Sequence, residues 1–193
     1  TLEGEAPKPD VPYQLEGRIF QGYFWALFSR DGSRLVVVGT GGANVYDTLE
    51  GELLLNIPAL VAYEADLSHD GQWLLMAPYD YWDRFGIYDV HTGRNVFYFP
   101  DLPTFYYEYK FSPDNRFVGV GSWEDQRYQF QLWDFASHTL LNTLDFSEDI
   151  PLRSLAFSPD ARMVALGQAD GQIFLLDLST FQVVATLTGH RGA

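Results

Sequence analysis

Histidine, serine and cysteine side chains are the first candidates for chemistry, because they serve as metal ligands and nucleophiles. The histidines are isolated from one another and form no His-x-His or His-x-x-x-His pattern; they are His69, His91, His138 and His190. Cysteine is absent, and no Gly-x-Ser-x-Gly segment supplies a nucleophile elbow. The sequence therefore predicts no catalytic residue, no cofactor and no metal site, and we expect the chain not to be an enzyme.

Clustered carboxylates and a glycine-rich segment are the next candidates. The clusters are Asp80 with Asp83, Glu124 with Asp125, and Asp145 with Glu148 and Asp149. None follows the spacing of an EF-hand calcium loop, which favours solvated loop charges. The segment Gly39–Asn44 lies between two predicted strands with no helix after it, so a hairpin turn is favoured over a phosphate-binding loop.

Charge and composition narrow the possible partners. The 193 residues include 26 acidic and only 12 basic side chains, which gives a formal charge of −14. Nucleic-acid binding is disfavoured, because it depends on neutralising phosphates with Lys and Arg. With 47% hydrophobic residues the chain is too apolar to be disordered. No apolar run approaches the ~20 residues of a membrane-spanning helix, so no membrane span is expected.

A turn sequence recurs four times along the chain. Each copy has an apolar residue, a serine, any residue and an aspartate, followed by Gly, Asn or Ala; the copies are Phe28–Gly32, Leu67–Gly71, Phe111–Asn115 and Phe157–Ala161. The aspartates of these turns are Asp31, Asp70, Asp114 and Asp160. Self-similarity at a fixed period indicates a repeat architecture.

A second fixed point follows each turn, an apolar or aromatic residue and then aspartate. The pairs are Tyr46-Asp47, Tyr88-Asp89, Trp133-Asp134 and Leu176-Asp177, whose aspartates are 42, 45 and 43 residues apart. This period, with an aromatic-Asp pair closing a strand, resembles the WD40-repeat family, whose unit builds one four-stranded propeller blade.

The sequence departs from the family pattern at several places. Only Trp133-Asp134 is a literal Trp-Asp pair, Gly189-His190 is the one Gly-His pair, and Asp170-Gly171 is the one Asp-Gly between the second and third strands. The resemblance implies a buried His, Ser or Thr, Asp and Trp tetrad in each blade, with His190 as a blade hydrogen-bonding residue. No copy contains all four members.

The resemblance implies an all-β, WD40-like β-propeller with four four-stranded blades, as part of a larger ring of about seven. We expect blades at about 23–59, 60–103, 104–149 and 150–187, after a linker over 1–14, with 188–193 beginning a next blade. Inner strands such as Phe117–Val120 are nearly all apolar and should be buried on both faces. Outer strands such as Gln129–Trp133 alternate, which predicts one polar and one packed face.

Four blades of a larger ring would leave two open ends. If an open end bared ~300 Å² of apolar surface, at ~25 cal/mol/Å² the loss would be about 7 kcal/mol, comparable with a whole domain's stability. We therefore expect further blades or another chain to cover these ends.

The resemblance implies that two loops of each blade emerge on the same face, here called the top face: the loop between the second and third strands and the loop that enters the next blade. Copies two and three enlarge these loops. They bring aromatic and acidic residues together, which we take as the candidate partner-binding residues: Tyr79, Tyr81, Trp82, Asp83, Tyr106, Trp123, Glu124 and Asp125. Tyr and Trp supply large contact area with few rotors and dominate interface energetics. Alternatively, these aromatics fold back and cap the blades.

The favoured function is a non-catalytic scaffold that binds a protein with a basic surface through this face. Two alternatives remain open: an extracytoplasmic propeller whose aromatics stack on a sugar or other ligand, and a sensor or regulatory domain of a larger protein.

Overall fold

A computed structural model describes residues 14–15, 18–19, 22–78, 85–99, 105–124, 127–146 and 150–189. Within these ranges all regular secondary structure is β-strand. The strands are β1 (Gln14–Leu15), β2 (Arg18–Ile19), β3 (Tyr23–Phe28), β4 (Arg34–Asp47), β5 (Leu53–Leu67), β6 (Trp73–Pro78), β7 (Gly86–Asp89), β8 (Asn95–Tyr98), β9 (Phe105–Phe111), β10 (Phe117–Glu124), β11 (Arg127–Asp134), β12 (Thr139–Asp145), β13 (Leu152–Phe157), β14 (Met163–Gln168), β15 (Ile173–Asp177) and β16 (Gln182–Leu187).

Two separate four-stranded antiparallel sheets form the third and fourth blades. Blade three has the order β9-β10-β11-β12 and blade four the order β13-β14-β15-β16, so in each the strands pair in chain order. Short turns between consecutive strands produce this meander, because antiparallel neighbours need only a tight connection.

Blades one and two are joined into one sheet of β3 to β8, since β5 belongs to both. Up to Val61 this strand pairs with β4, and from Ala62 it pairs with β6. The expected boundary between residues 59 and 60 thus falls inside β5.

Strand β4 supplies two strands of blade one. The amide of Thr48, just after β4, donates to the carbonyl of Ser33, just before it, so the two ends of β4 lie side by side. The fold back occurs at Gly41 and Gly42, with φ of 88° and 105°. A Cβ on Gly42 would lie 2.0 Å from the carbonyl oxygen of Ile57, so this hairpin needs glycine there.

Equivalent hydrogen bonds close the same hairpin in the other blades. Val90 donates to Gln72, Phe135 to Arg116 and Leu178 to Arg162, over 2.8 to 2.9 Å. The fold class predicted from the sequence, an all-β propeller with four-stranded blades, is confirmed.

The core consists of three apolar clusters. The first joins blades one and two, the second packs blade two against blade three, and the third packs blade three against blade four. The second is strongly aromatic, with ring contacts among Phe85, Phe97, Phe99, Tyr109 and Trp133. Strand β9 contacts β5 on one side and β13 on the other, so the first strand of each blade lines the inside of the arc.

The prediction that Gln129–Trp133 has one polar and one packed face is wrong. Gln131 is buried together with Phe130, Leu132 and Trp133. Its side-chain oxygen accepts a hydrogen bond from the indole Nε1 of Trp133 at 3.1 Å, which gives both buried atoms a partner. The exposed strand of blade three is β12 instead.

Candidate interaction surface

Three of the candidate partner-binding residues, Tyr106, Trp123 and Glu124, lie at one end of blade three. Trp123 is half-buried in β10, opposite Phe105 of β9 and Tyr128 of β11. Glu124 pairs with Arg127 and closes the β10–β11 hairpin, while Tyr106 pairs with Ser122 near the start of β9. The start of β9 and the tip of this hairpin therefore lie at one end of blade three.

The remaining candidates, Tyr79, Tyr81, Trp82, Asp83 and Asp125, lie outside the described residues. In the sequence, residues 79–84 stand between β6 and β7 of blade two, and residues 125–126 stand between β10 and β11 of blade three.

Repeated serine-aspartate turns build the opposite end of the blades. In every copy the serine hydroxyl donates to the aspartate carboxylate at 2.6 Å; the pairs are Ser29-Asp31, Ser68-Asp70, Ser112-Asp114 and Ser158-Asp160. Each serine oxygen also accepts the amide of the residue that begins the second strand, at 2.9 to 3.0 Å. The side chains thus cap backbone groups that the turn leaves unpaired.

In two of these turns the hydrogen bonds favour the ionised aspartate. The Ser29 hydroxyl, followed by the Ser33 amide, lowers the pKa of Asp31 to about 2. The Ser158 hydroxyl likewise lowers the pKa of Asp160. A carboxylate that accepts several hydrogen bonds resists protonation, because the bonds would be lost with the charge.

The aspartates that close each repeat organise a second set of turns at this end. Three of them accept the backbone amides of the second and third residues that follow: Asp47, Asp89 and Asp177. The fourth, Asp134, accepts the amide and the hydroxyl of Ser137. The Ser137 amide lowers the pKa of Asp134, and the Ser179 hydroxyl lowers that of Asp177. All four therefore have the same local role.

Left-handed backbone conformations recur at matching positions of both turns. In the serine-aspartate turns the residues are Gly32, Gly71, Asn115 and Ala161. In the turns after the repeat-closing aspartates they are Gly51, Gly93, His138 and Phe181. The non-glycine residues have φ of 53° to 58°. Glycine supplies this conformation without steric cost, whereas Ala and Phe adopt it at a cost in energy.

Neighbouring turns also contact one another across the blades. The guanidinium of Arg30 in blade one contacts Nε2 of His69 in blade two. The amide of His69 donates to Oδ1 of Asn115 in blade three at 2.8 Å. Gly71 lies against Ser29, since a Cβ built on it would be 3.1 Å from the Ser29 Cβ. This end therefore forms a linked row of turns.

The described residues that match members of the tetrad, Asp170 and Trp133, do not contact each other but bond to neighbours in their own blades. Asp170 accepts hydrogen bonds from the amide and side chain of Gln172 within its own turn. Trp133 bonds to Gln131, and His190 lies outside the described residues. His138 stacks on Phe97 of blade two, with ring centroids 4.3 Å apart.

Four charged residues on the inner strands form a cluster that the sequence reasoning missed. They are Glu64 and Asp66 on β5 and Glu108 and Lys110 on β9. The Lys110 ammonium lies 3.8 Å from Glu64 Oε1 and 3.7 Å from Asp66 Oδ1. The sequence did hold a signal, which is the position of these residues. In each strand one charged residue stands four residues before the turn serine, Ser68 or Ser112, and another stands two before it. The strands are otherwise largely apolar.

Burial raises the pKa of the three carboxyl groups in this cluster. For Glu64 burial is reinforced by repulsion from Glu108, and the pKa is about 7. Burial raises the pKa of Asp66 to about 6 despite its contact with Lys110, and burial also raises that of Glu108. Desolvation disfavours the charged form, which explains the direction.

No group of three or more His, Cys, Asp or Glu in the described part of the chain has the geometry to hold a metal ion. None of the described segments is a helix long and apolar enough to cross a membrane.

Comparison with known proteins shows that the chain is similar in sequence to a WD repeat protein and in fold to a β-propeller domain. No family model matches the chain. The WD repeat-containing protein VIP3 of Arabidopsis thaliana is 26% identical over 117 residues, which covers 54% of this chain and 36% of that protein. The crystal structure of the Cps50 (Swd1) β-propeller domain of Myceliophteria thermophila superposes with a TM-score of 0.72 at 14% identity, covering 88% of this chain and 56% of that one.

The chain thus spans about a third of that relative and just over half of that propeller domain. The similarity in repeat type and in fold confirms the WD40-repeat resemblance and the propeller architecture.

Proposed function

Because the fold is that of WD40-type propeller blades, we propose that the chain is a non-catalytic scaffold that binds a protein with a basic surface. The top face of blades two and three is the binding surface in this proposal. The observation that carries it is the end of blade three, where half-buried Trp123 and the adjoining Glu124 lie beside the start of β9. An aromatic anchor with acidic neighbours suits a cationic partner.

The two ends of the blades support this choice of surface. At one end the backbone is fixed by repeated serine-aspartate turns, which leave little freedom for insertions. At the other end copies two and three carry longer connections with Tyr, Trp and acidic residues. Binding residues are commonly carried by loops that a rigid scaffold positions.

The test compares tryptophans inside and outside the proposed surface. A fluorescent peptide rich in Lys and Arg should bind the chain in an anisotropy titration, and a matched Glu-rich peptide should not. Replacing Trp82 and Trp123 with Ala should weaken binding by about 2 kcal/mol or more, roughly thirty-fold in Kd. The control is Trp25→Ala, because Trp25 is 43% exposed on β3 and lies outside the surface.

The circular dichroism spectrum should be unchanged in all variants. Undiminished binding by the double Trp82 and Trp123 variant would refute the site. A glycan-array signal that the same variant removes would instead favour the sugar-binding alternative.

We also propose that another sheet, from further blades or another chain, covers both open ends of the arc. The support is exposed apolar surface on the inner strands of the first and last blades, including Phe28 at 66% on β3 and Met163 at 37% on β14. A monomeric chain that unfolds cooperatively and binds no hydrophobic dye would contradict this proposal.

A further inference from the structure

Polar contacts connect blades two and three along their inner strands. The amide of Phe111 on β9 donates to Asp66 Oδ2 on β5 at 2.7 Å. The hydroxyl of Tyr109 donates to the carbonyl oxygen of Glu64 at 2.5 Å and accepts the amide of Ala77 at 3.3 Å. Burial raises the pKa of Tyr109 well above its ordinary value, so its hydroxyl stays protonated. The joint therefore depends on charged and polar groups as well as on apolar packing.

The charges at this joint do not balance. Lys110 is the one cation in contact with Glu64 and Asp66 among the described residues, and Glu108 interacts with Glu64 through a side-chain hydrogen bond. The side chains of Glu64 and Asp66 are only 24% and 17% exposed. Full ionisation would place three carboxylates beside one ammonium in a poorly solvated position. Such charge is costly, because burial weakens its hydration and one ammonium compensates only part of three carboxylates.

We propose that the joint between blades two and three is a proton-sensitive device: protons bound at the Glu64, Asp66 and Glu108 cluster tighten it, and their release loosens it. A proton held between Glu64 and Glu108 replaces repulsion across the joint with a hydrogen bond. Release of that proton leaves two carboxylates facing each other from neighbouring blades.

The described neighbours of the cluster are mostly uncharged. Strand β6 contains no ionisable residue, and β10 places Gly119 and Gly121 opposite Lys110 and Glu108. A cavity of about 280 Å³ beside the cluster is lined by Asp66, His69 and Lys110, and by Leu155 and Phe157 from the blade-four side. Strand β13 also carries Arg153, which is exposed.

The direction of the pH effect follows from where protons bind. The pKa of Glu64 rises from an ordinary 4.5 to about 7, and that of Asp66 from 3.8 to about 6. Between these limits the folded chain binds more protons than the unfolded chain. The stabilisation is therefore complete below about pH 4 and is lost as pH rises through 6 to 7.

The decisive experiment measures urea unfolding from pH 5 to pH 8 for the full 193-residue chain and two variants. Glu64→Gln removes a titrating group from the joint, and Glu50→Gln removes the same charge from an exposed turn. One excess proton in the folded state changes the unfolding constant at most ten-fold per pH unit. Because the site is partly exposed, we expect less than this limit. From pH 5 to pH 8 the unfolding constant of the natural sequence should rise about ten-fold more than that of Glu64→Gln.

Glu50→Gln should follow the natural sequence, which separates the effect from the general repulsion of an acidic chain. Equal pH slopes for Glu64→Gln and Glu50→Gln would overturn the proposal. If Glu64→Gln fails to fold, Asp66→Asn gives the same comparison. In either case carbon-detected NMR of the Glu64 carboxyl group in the natural sequence should give a titration midpoint near 7, and a midpoint near 4.5 would refute the proposal.

Discussion

Gly32 and Gly71 allow the contact between the turns of blades one and two to be measured directly. Both have a φ of 71° at the same position of the serine-aspartate turn. A Cβ on Gly32 meets no atom within 4 Å, whereas a Cβ on Gly71 lies 3.1 Å from the Ser29 Cβ. Alanine at either position suffers the same backbone cost, but only at Gly71 does it press on the neighbouring blade.

The magnitudes can be worked out separately. A left-handed alanine costs about 1–2 kcal/mol, and the lower entropy of the unfolded alanine chain offsets about 0.4–1 kcal/mol of it. Gly32→Ala should therefore lower the free energy of unfolding by about 1 kcal/mol. Gly71→Ala should lose a further 1 kcal/mol or so, because overpacking at a buried contact adds to the backbone cost.

Urea denaturation at fixed pH, followed by tryptophan fluorescence, measures both variants. An unchanged m-value would show that each difference reflects stability and not a changed unfolded state. If both substitutions lower the free energy of unfolding by the same amount, the turns of blades one and two do not press on each other, and their contact contributes nothing to stability.

Three further substitutions, two of them with matched controls, test other parts of the structure. Ala161→Gly relieves a left-handed alanine and should raise the free energy of unfolding by about 0.5–1 kcal/mol, whereas Ala165→Gly, inside β14, should lower it by a similar amount; urea midpoints of the pair decide this. Tyr109→Phe leaves two backbone groups without their partner and should cost about 1–3 kcal/mol in the same assay, whereas Tyr98→Phe, 46% exposed, should cost almost nothing. Asp31 has a lowered pKa of about 2, so its turn stabilises the fold above about pH 4 and weakens as pH falls towards 2; Asp31→Asn should flatten the acid limb of the stability curve, and an unchanged limb would contradict the turn geometry.

Much of the fold could be read from residues that act locally. The turn at Phe157–Ala161 predicts where β13 ends and β14 begins because the Ser158 and Asp160 side chains bond to nearby backbone groups. Such bonds depend on sequence neighbours alone, so the pattern identifies them wherever it occurs. The apolar strands between the turns then leave a four-stranded meander as the simplest arrangement.

Contacts between blades could not be predicted in the same way. Glu64 and Glu108 are 44 residues apart, and their proximity depends on β5 and β9 lying side by side. Gln131 looked solvent-facing because alternation reveals which residues share a face but not whether a neighbouring blade covers that face. His138 illustrates the same limit, since its partner Phe97 belongs to the preceding blade.

The turns and the inner joint together imply that stability falls on both sides of a mildly acidic pH. Asp31 has a lowered pKa, so its contribution disappears in acid; Glu64 has a raised pKa, so its contribution disappears as pH rises towards 7. The two groups lie in different elements and share no bonding partner, so their effects should add. Combining Asp31→Asn with Glu64→Gln should flatten both limbs at once, each as in the single variant. A combined effect that departs from the sum would mean that the turns and the joint are energetically coupled, contrary to the separate local causes assigned to them.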